Sequence, residues 1–313
     1  MKFPLTIIYI TARYEPRVEW FLDSLYRQPG GPDCNVIIVD PFRKPAENAS
    51  VRVVNPKPTV WQGPHRLTKQ DWWAASNARN TGICLCETPW VSFLDDRSVL
   101  VPTWLEAVEA AMEGLYVVCG PYEKVHNLVV QMGRATEMDK LSDYCTWDGK
   151  KTDGKDSRVA YVEDHYLHHK HLSNPYNAPG EWTYGCSLAL PLEWALQVNG
   201  FPETMDGASG EDYVFGLMLQ NNGFPIKFDL RMKMIEDRTP GTLHPTMIRK
   251  DKGVSPNDRS HWLLDMHRPL RRAPHQWDLR QVRAAAMAGR GFPVSTWPNR
   301  DPYDGEPLSN MTA

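Results

Sequence analysis

Short β-rich apolar runs alternating with stretches of helical spacing constrain this chain more than any other feature. LTIIYIT (Leu5 to Thr11), VIIV (Val36 to Val39), VRVV (Val51 to Val54), the run Trp90 to Leu94 and the run Tyr116 to Cys119 read as strands. Between them, Val18, Phe21, Leu22 and Leu25 sit at helical spacing in a helix expected over about Glu15 to Arg27. Further helices are expected over residues 70–86 and over Pro102 to Met112, where proline occupies the first turn. Strands that are apolar along their length and alternate with helices predict an α/β fold, a mostly parallel central sheet covered on both faces.

Beyond residue 141 the pattern changes. Residues 142–180 are polar and irregular and read as a loop or lid. A strand is expected over Trp182 to Leu190, then a helix (Leu192 to Val198), a glycine-rich turn (Gly207 to Gly210) and a helix from Glu211 to Asn221 stopped by Asn222-Gly223. Ile226 to Ile235 predicts another strand, and Leu279 to Ala288 a late helix. The 313 residues allow one large domain or two modest ones. Six cysteines show neither a CxxC pair nor zinc spacing. No run approaches the ~18 apolar residues of a membrane span, so the expectation is a reduced, cytoplasmic protein without a membrane segment. The net charge of −3 hides an asymmetry: residues 227–290 hold fourteen Lys and Arg against seven Asp and Glu. Such a segment suits phosphates or nucleic acid, or is a solvated basic surface.

The strand Trp90 to Leu94 ends abruptly in Asp95-Asp96-Arg97. Adjacent carboxylates repel, so a cation or a hydrogen-bonding ligand is expected to compensate them. In an open α/β sheet, ligands gather beyond the strand C-termini. The pair therefore points to a metal-assisted or nucleotide-binding site. A helix cap would explain one of the two aspartates but not both.

Two stretches, taken in order, resemble a known family. The first is SNARNTGI followed by VSFLDDR; the second runs from Thr183 to Gly223 and contains Asn199-Gly200-Phe201, Glu203 and Gly210-Glu211-Asp212. Together with the opening strand and the IIVD ending at Asp40, they are similar to family 2 glycosyltransferases with the GT-A fold, over roughly residues 4–236. The resemblance implies a GT-A domain over 1–236: a nucleotide-sugar half (1–120), the insert at 142–180 and an acceptor half (181–236). A basic C-terminal extension (237–313) would follow.

It also implies roles. Thr11, Arg13, Asp40, Arg79, Asp95, Asp96 and Arg97 would line the donor nucleotide. Where the family's DxD triplet has a second Asp, this chain has Arg97. Asp96 would then carry the divalent metal (Mn²⁺ or Mg²⁺) together with His244, or Arg97 would itself neutralise diphosphate charge, which leaves a strict metal requirement open. Asp212 would be the base that deprotonates the acceptor hydroxyl, and Glu211 would orient the acceptor beside Trp182 and Tyr184. The expected reaction is an inverting transfer from a nucleotide sugar, UDP-linked by preference. The acceptor is unnamed, and a hydroxymethylated pyrimidine in DNA would suit the basic third. Plainer explanations stand beside these: Asp40 as a turn residue before Pro41, Arg79 as a helix-surface ion pair, Asp212 as a first-turn acid favoured by the helix dipole. His261 competes with His244, and the histidines between His165 and His171 read as solvated surface. A nucleotidyltransferase and a non-catalytic nucleotide-sugar-binding module are the alternatives.

Overall fold

The computed structural model describes residues 3–48, 50–58, 74–140, 173–206, 210–239, 269–274 and 276–292. A nine-stranded sheet runs through the molecule. Its centre is four parallel strands: β4 (Val51–Val54), β2 (Asn35–Val39), β1 (Leu5–Ile10) and β5 (Trp90–Asp95). β1 and β5 are apolar along their length and buried to match. The short β3 (Ala46–Glu47) edges the sheet against β4. On the other side, β11 (Ser187–Pro191) runs against β5 and separates it from β7 (Val117–Cys119), beyond which lie β12 (Ile226–Phe228) and β10 (Tyr176–Asn177).

The reversal at β11 positions the site. Because Ser187 pairs with Leu94, the residues entering β11 meet the residues leaving β5. Gly185 and Cys186 are thereby carried to Asp95, although some ninety positions separate them in sequence. A second sheet of four strands, β6 (Ser98–Leu100), β13 (Met234–Asp237), β8 (Tyr122–Gln131) and β9 (Arg134–Lys140), begins directly after the Asp95-Asp96-Arg97 corner.

Helix α1 (Val18–Tyr26) follows β1, and α2 (Ala75–Leu85) is buried at every one of its positions. A helix polar in sequence but buried on all sides must spend its polar groups internally. Asp206 does this for the α2 N-terminus, accepting from the backbone amides of Ser76 (2.7 Å) and Asn77 (3.1 Å). The Asn80 side chain donates to the Phe201 carbonyl (2.8 Å) and to Glu203 (3.0 Å), and accepts from the Phe201 amide (2.8 Å). Glu203 also pairs with the buried Lys57. The two resemblance-bearing stretches are thus joined physically, and the second holds the first. Asp206→Ala removes a helix cap, so a loss of about 1–2 kcal/mol is expected in urea unfolding. A loss of only a few tenths would mean that Asp206 does not hold α2.

Helices α3 (Trp104–Gly114), α4 (Leu192–Gln197) and α5 (Glu211–Asn221) complete the layers. The expected boundaries of α5 hold, framed by Gly210 in a left-handed conformation and by the Asn222-Gly223 stop. Two expected strands do not. Trp182 to Leu190 is a 3₁₀ turn (Gly180–Trp182) followed by β11. Ile226 to Ile235 is split between the two sheets by the turn Leu230–Met232, because the buried Asp229 accepts from the Arg231 amide (2.9 Å) and ends β12.

The described part of the expected C-terminal extension belongs to the same core. Helix α6 (Leu279–Met287) buries Leu279 and Val282, and the Leu279 amide donates to Asn199 (2.8 Å). The Gln276 side chain accepts from the Glu203 amide (2.8 Å). The described cysteines Cys34, Cys84, Cys86, Cys119 and Cys186 are free and buried. Among the described residues, no helix is long and apolar enough to cross a membrane.

Candidate active site

At the end of β5 three consecutive side chains diverge, because Arg97 adopts a left-handed backbone conformation (φ 55°). Asp96 turns to the loop after β1. Its carboxylate accepts from the Thr11 hydroxyl (2.6 Å) and from Arg13 Nε (2.8 Å). Burial raises the Asp96 carboxyl, and Arg13 and Thr11 partly offset the rise. Asp95 is the more open of the two, with its side chain 24% exposed.

Arg97 corrects an expectation. Its guanidinium pairs with the buried Asp237, donates to the Glu15 carbonyl (2.9 Å) and lies over the Trp20 ring (5.5 Å). A buried guanidinium so committed fastens the second sheet to the first and does not offer its charge to a diphosphate. Asp40 is likewise a turn residue in the structure: buried, it accepts from the amides of Phe42 (2.8 Å) and Arg43 (3.2 Å).

Arg79 is no helix-surface residue. It is buried on α2, with Nη2 on Asp95 (3.0 Å), Nη1 on Glu211 (2.8 Å) and its plane over Phe201 (5.1 Å). One planar fork therefore joins the carboxylate at the end of β5 to the first residue of α5. Gly185 makes room for it, since a Cβ there would collide with the guanidinium.

The same glycine fixes the neighbouring acid. Asp212 accepts from the Gly185 amide (3.3 Å) with one oxygen and from the Tyr213 amide (2.9 Å) with the other. Burial, then repulsion from Glu211, lift its carboxyl to about 6 against the pull of Arg79. A carboxylate at the start of α5 with that value is ionised at neutral pH and can still take a proton, which is what a general base needs. Trp182 and Tyr184 lie half-buried on the turn leading into β11, and the Tyr184 ring meets Tyr122 edge-on at 5.3 Å.

Three residues near this centre carry no resemblance in sequence. Glu236 and Arg238, at and just after β13, interact electrostatically with Asp95 and Asp96, and Lys124 on β8 interacts with Glu236. In sequence they look like ordinary charges beside a loop. Only the pairing of β13 with β6 and β8 brings them to the end of β5.

Among the described residues no group of three His, Cys, Asp or Glu converges on a metal position. Asp96 already has both oxygens engaged, one by the cationic Arg13. The described residues therefore do not by themselves complete a metal site. His244 and His261, the histidines between His165 and His171, and most of the insert at 142–180 lie outside the described residues. So do Lys250, Lys252, Arg259 and Arg268. Of the described basic residues towards the C-terminus, Arg280 pairs with Glu193, Arg283 donates to the Cys86 carbonyl (2.7 Å) and Arg272 pairs with Asp278.

The fold is of the GT-A glycosyltransferase type. The crystal structure of GalNAc-T7 with UDP, GalNAc and Mn²⁺ superposes with a TM-score of 0.50 at 13% identity, covering 76% of this chain and 45% of that one. S. aureus TarS 1–349 in complex with UDP gives 0.47 at 14% identity, over 77% and 61%. In sequence the chain is similar to a validoxylamine A glucosyltransferase of Streptomyces hygroscopicus subsp. limoneus, 24% identical over 237 residues (71% of this chain, 49% of the relative). The enzyme of the same name from subsp. jinggangensis is 27% identical over 165 residues, 48% of this chain and 36% of the relative. The chain thus spans half or less of these relatives' length. No family model matches it.

Proposed function

We propose that this chain is an inverting glycosyltransferase, related to family 2, that transfers a sugar from a nucleoside diphosphate donor to an acceptor hydroxyl. The observation that carries this reading is the Arg79 bridge. It holds the strand-end carboxylate Asp95 and the acceptor-side Glu211 in one frame, with Asp212 beside them at a value near 6. The curated relatives act as glucosyltransferases by name, and GalNAc-T7 was crystallised with UDP, so a UDP-hexose is the first donor to try.

In the proposed step the acceptor oxygen attacks the anomeric carbon on the face opposite the diphosphate. Its proton passes to the Asp212 carboxylate. The bond to the diphosphate oxygen breaks with its electron pair, and the configuration inverts. Glu211, fixed by Arg79, orients the acceptor, and Trp182 and Tyr184 supply ring surface at the same rim. Thr11 and Arg13 hold Asp96, so the turn after β1 keeps its shape at the nucleotide end. A divalent cation at the diphosphate would need Asp95 together with ligands from outside the described residues, His244 among them. Its chemistry would be to neutralise the leaving charge.

The test is nucleotide release from UDP-glucose, UDP-GlcNAc, UDP-GalNAc and GDP- and dTDP-glucose, with Mn²⁺ or with EDTA. Acceptors are a polyhydroxylated cyclitol, an oligosaccharide and hydroxymethylated duplex DNA. Release with one donor, and an inverted anomeric centre by NMR, is the expected result. Neither binding nor release with any of them would sink the reading, and transfer only to the DNA would select the nucleic-acid acceptor.

A further inference from the structure

A diphosphate entering this site meets Asp95, Asp96, Glu211 and Asp212, so it needs a cation that it can reach from solvent. Arg13, Arg79 and Arg97 are committed to Asp96, to Asp95 and Glu211, and to Asp237, with side-chain exposures of 10, 4 and 6%. Arg238 differs from all three: its side chain is 38% exposed. Its backbone is pinned, with the amide donating to the Val125 carbonyl (2.7 Å), and Asp95 and Asp96 are among its charged neighbours.

Its partner is unusual. Arg238 Nε lies 2.7 Å from Glu236 Oε1, while Glu236 Oε2 is buried without a hydrogen-bond partner. Arg238 follows the end of β13 by one residue, and the 2.7 Å contact puts it beside Glu236. Lys124 is the register partner of Glu236 on the neighbouring strand and shares its face. Burial raises the Glu236 carboxyl, Arg238 and Lys124 pull it down, and Asp95 and Asp96 add repulsion. A half-satisfied carboxylate among other carboxylates is a costly arrangement to leave in a fold. It is intelligible if Glu236 keeps the place of an anion that is bound later.

We infer that Arg238 and Lys124 receive the donor's diphosphate, and that Glu236 is the internal counter-anion that the diphosphate displaces from Arg238. This rests on the donor reading above. An arginine fork engages a phosphate through two parallel hydrogen bonds, a stronger match than one oxygen of the neighbouring carboxylate. Arg238 thus takes the part that the sequence suggested for Arg97. Glu236 does not contribute to binding: it competes with the donor.

Calorimetry with UDP, GDP, dTDP and ADP, and with the monophosphate and nucleoside of whichever diphosphate binds, tests this. Arg238→Met is expected to weaken the diphosphate by on the order of ten- to a hundredfold, a charge-assisted hydrogen bond's worth, with the nucleoside unchanged. Arg238→Lys should recover part of the loss. Glu236→Gln should tighten the diphosphate severalfold, an outcome that a purely structural carboxylate would not give. If Arg238→Met does not melt cooperatively, Arg238→Lys and Glu236→Gln carry the decision. Wild-type diphosphate affinity in the Arg238 variants would overturn the inference, and weaker binding in Glu236→Gln would overturn the role of Glu236. In both cases the donor reading survives. A wild-type protein that binds no nucleoside diphosphate at all would overturn both.

Discussion

Asp212→Asn is expected to lower sugar transfer by about 10²–10⁴-fold, the usual contribution of a positioned base, while nucleotide binding stays within severalfold. An amide keeps the shape, and its single oxygen can accept from only one of the two backbone amides, Gly185 or Tyr213, that meet separate oxygens of Asp212; it cannot take the acceptor's proton. The pH profile gives an independent sign. With the Asp212 carboxyl at about 6, wild-type kcat/KM should be flat above that value and fall as pH drops through it. The acid limb should vanish in the Asn variant. Stability runs the other way. A carboxyl raised in the fold above its unfolded value of about 3.9 costs stability once ionised, a cost that accrues between about pH 4 and pH 6 and is complete above. The Asn variant sheds that cost but loses one of the two backbone bonds, worth about 0.5–1.5 kcal/mol, so its melt at pH 8 should lie close to the wild type's, and a melt that close separates lost transfer from unfolding. Near-full turnover in Asp212→Asn, with loss in Glu211→Gln, would exchange the two assignments.

What the sequence disclosed and what it withheld divide along a physical line. Runs such as LTIIYIT and WVSFL are strands because burial on both faces demands continuous apolar side chains. Glu211 to Asn221 is a helix because a glycine that tolerates a positive φ opens it and Asn-Gly closes it. These are local causes, and they were legible. The partners of polar side chains are not local. Nothing near Arg97 announces Asp237, 140 positions away, so a cation beside two aspartates read as a ligand-facing group when it is a fastening between sheets. Asp40 was ambiguous for the opposite reason, since a turn residue and a ribose ligand look alike in sequence. Glu236 and Arg238 were invisible because the expected strand ran from Ile226 only to Ile235, whereas the buried Asp229 ends β12 and a separate strand, β13, carries Glu236 and leads into Arg238. Of the polar residues of SNARNTG, the resemblance gave a role to Arg79 alone. Asn77 and Asn80 meet Glu203 and Phe201 and make the joint on which the site rests, through partners more than a hundred positions away that the sequence does not announce.

Arg79 is the residue whose loss should do most damage, because it serves that joint and the site at once. Arg79→Met keeps much of the volume over Phe201 but removes the charge between Asp95 and Glu211, whose side chains are 24% and 15% exposed. Removing one partner of a buried pair typically costs about 3–5 kcal/mol, because the remaining charge is left uncompensated. Here two carboxylates would be left, with Asp212 acting on Glu211 as well, against a typical total stability of about 5–15 kcal/mol. A large drop in urea midpoint is expected, and transfer should be undetectable. Adding Glu211→Gln should restore part of the stability, because it removes one of the two stranded charges. The resulting coupling between positions 79 and 211 is the quantity to measure. Arg79→Lys separates fold from function: an ammonium supplies the charge but cannot bridge two carboxylates through a planar fork. It should fold and still transfer poorly, with acceptor KM raised as Glu211 loses its fixed position. Independent, additive effects of Arg79→Met and Glu211→Gln on stability would show that the bridge does not couple the two halves. A fully active Arg79→Lys would show that charge alone suffices.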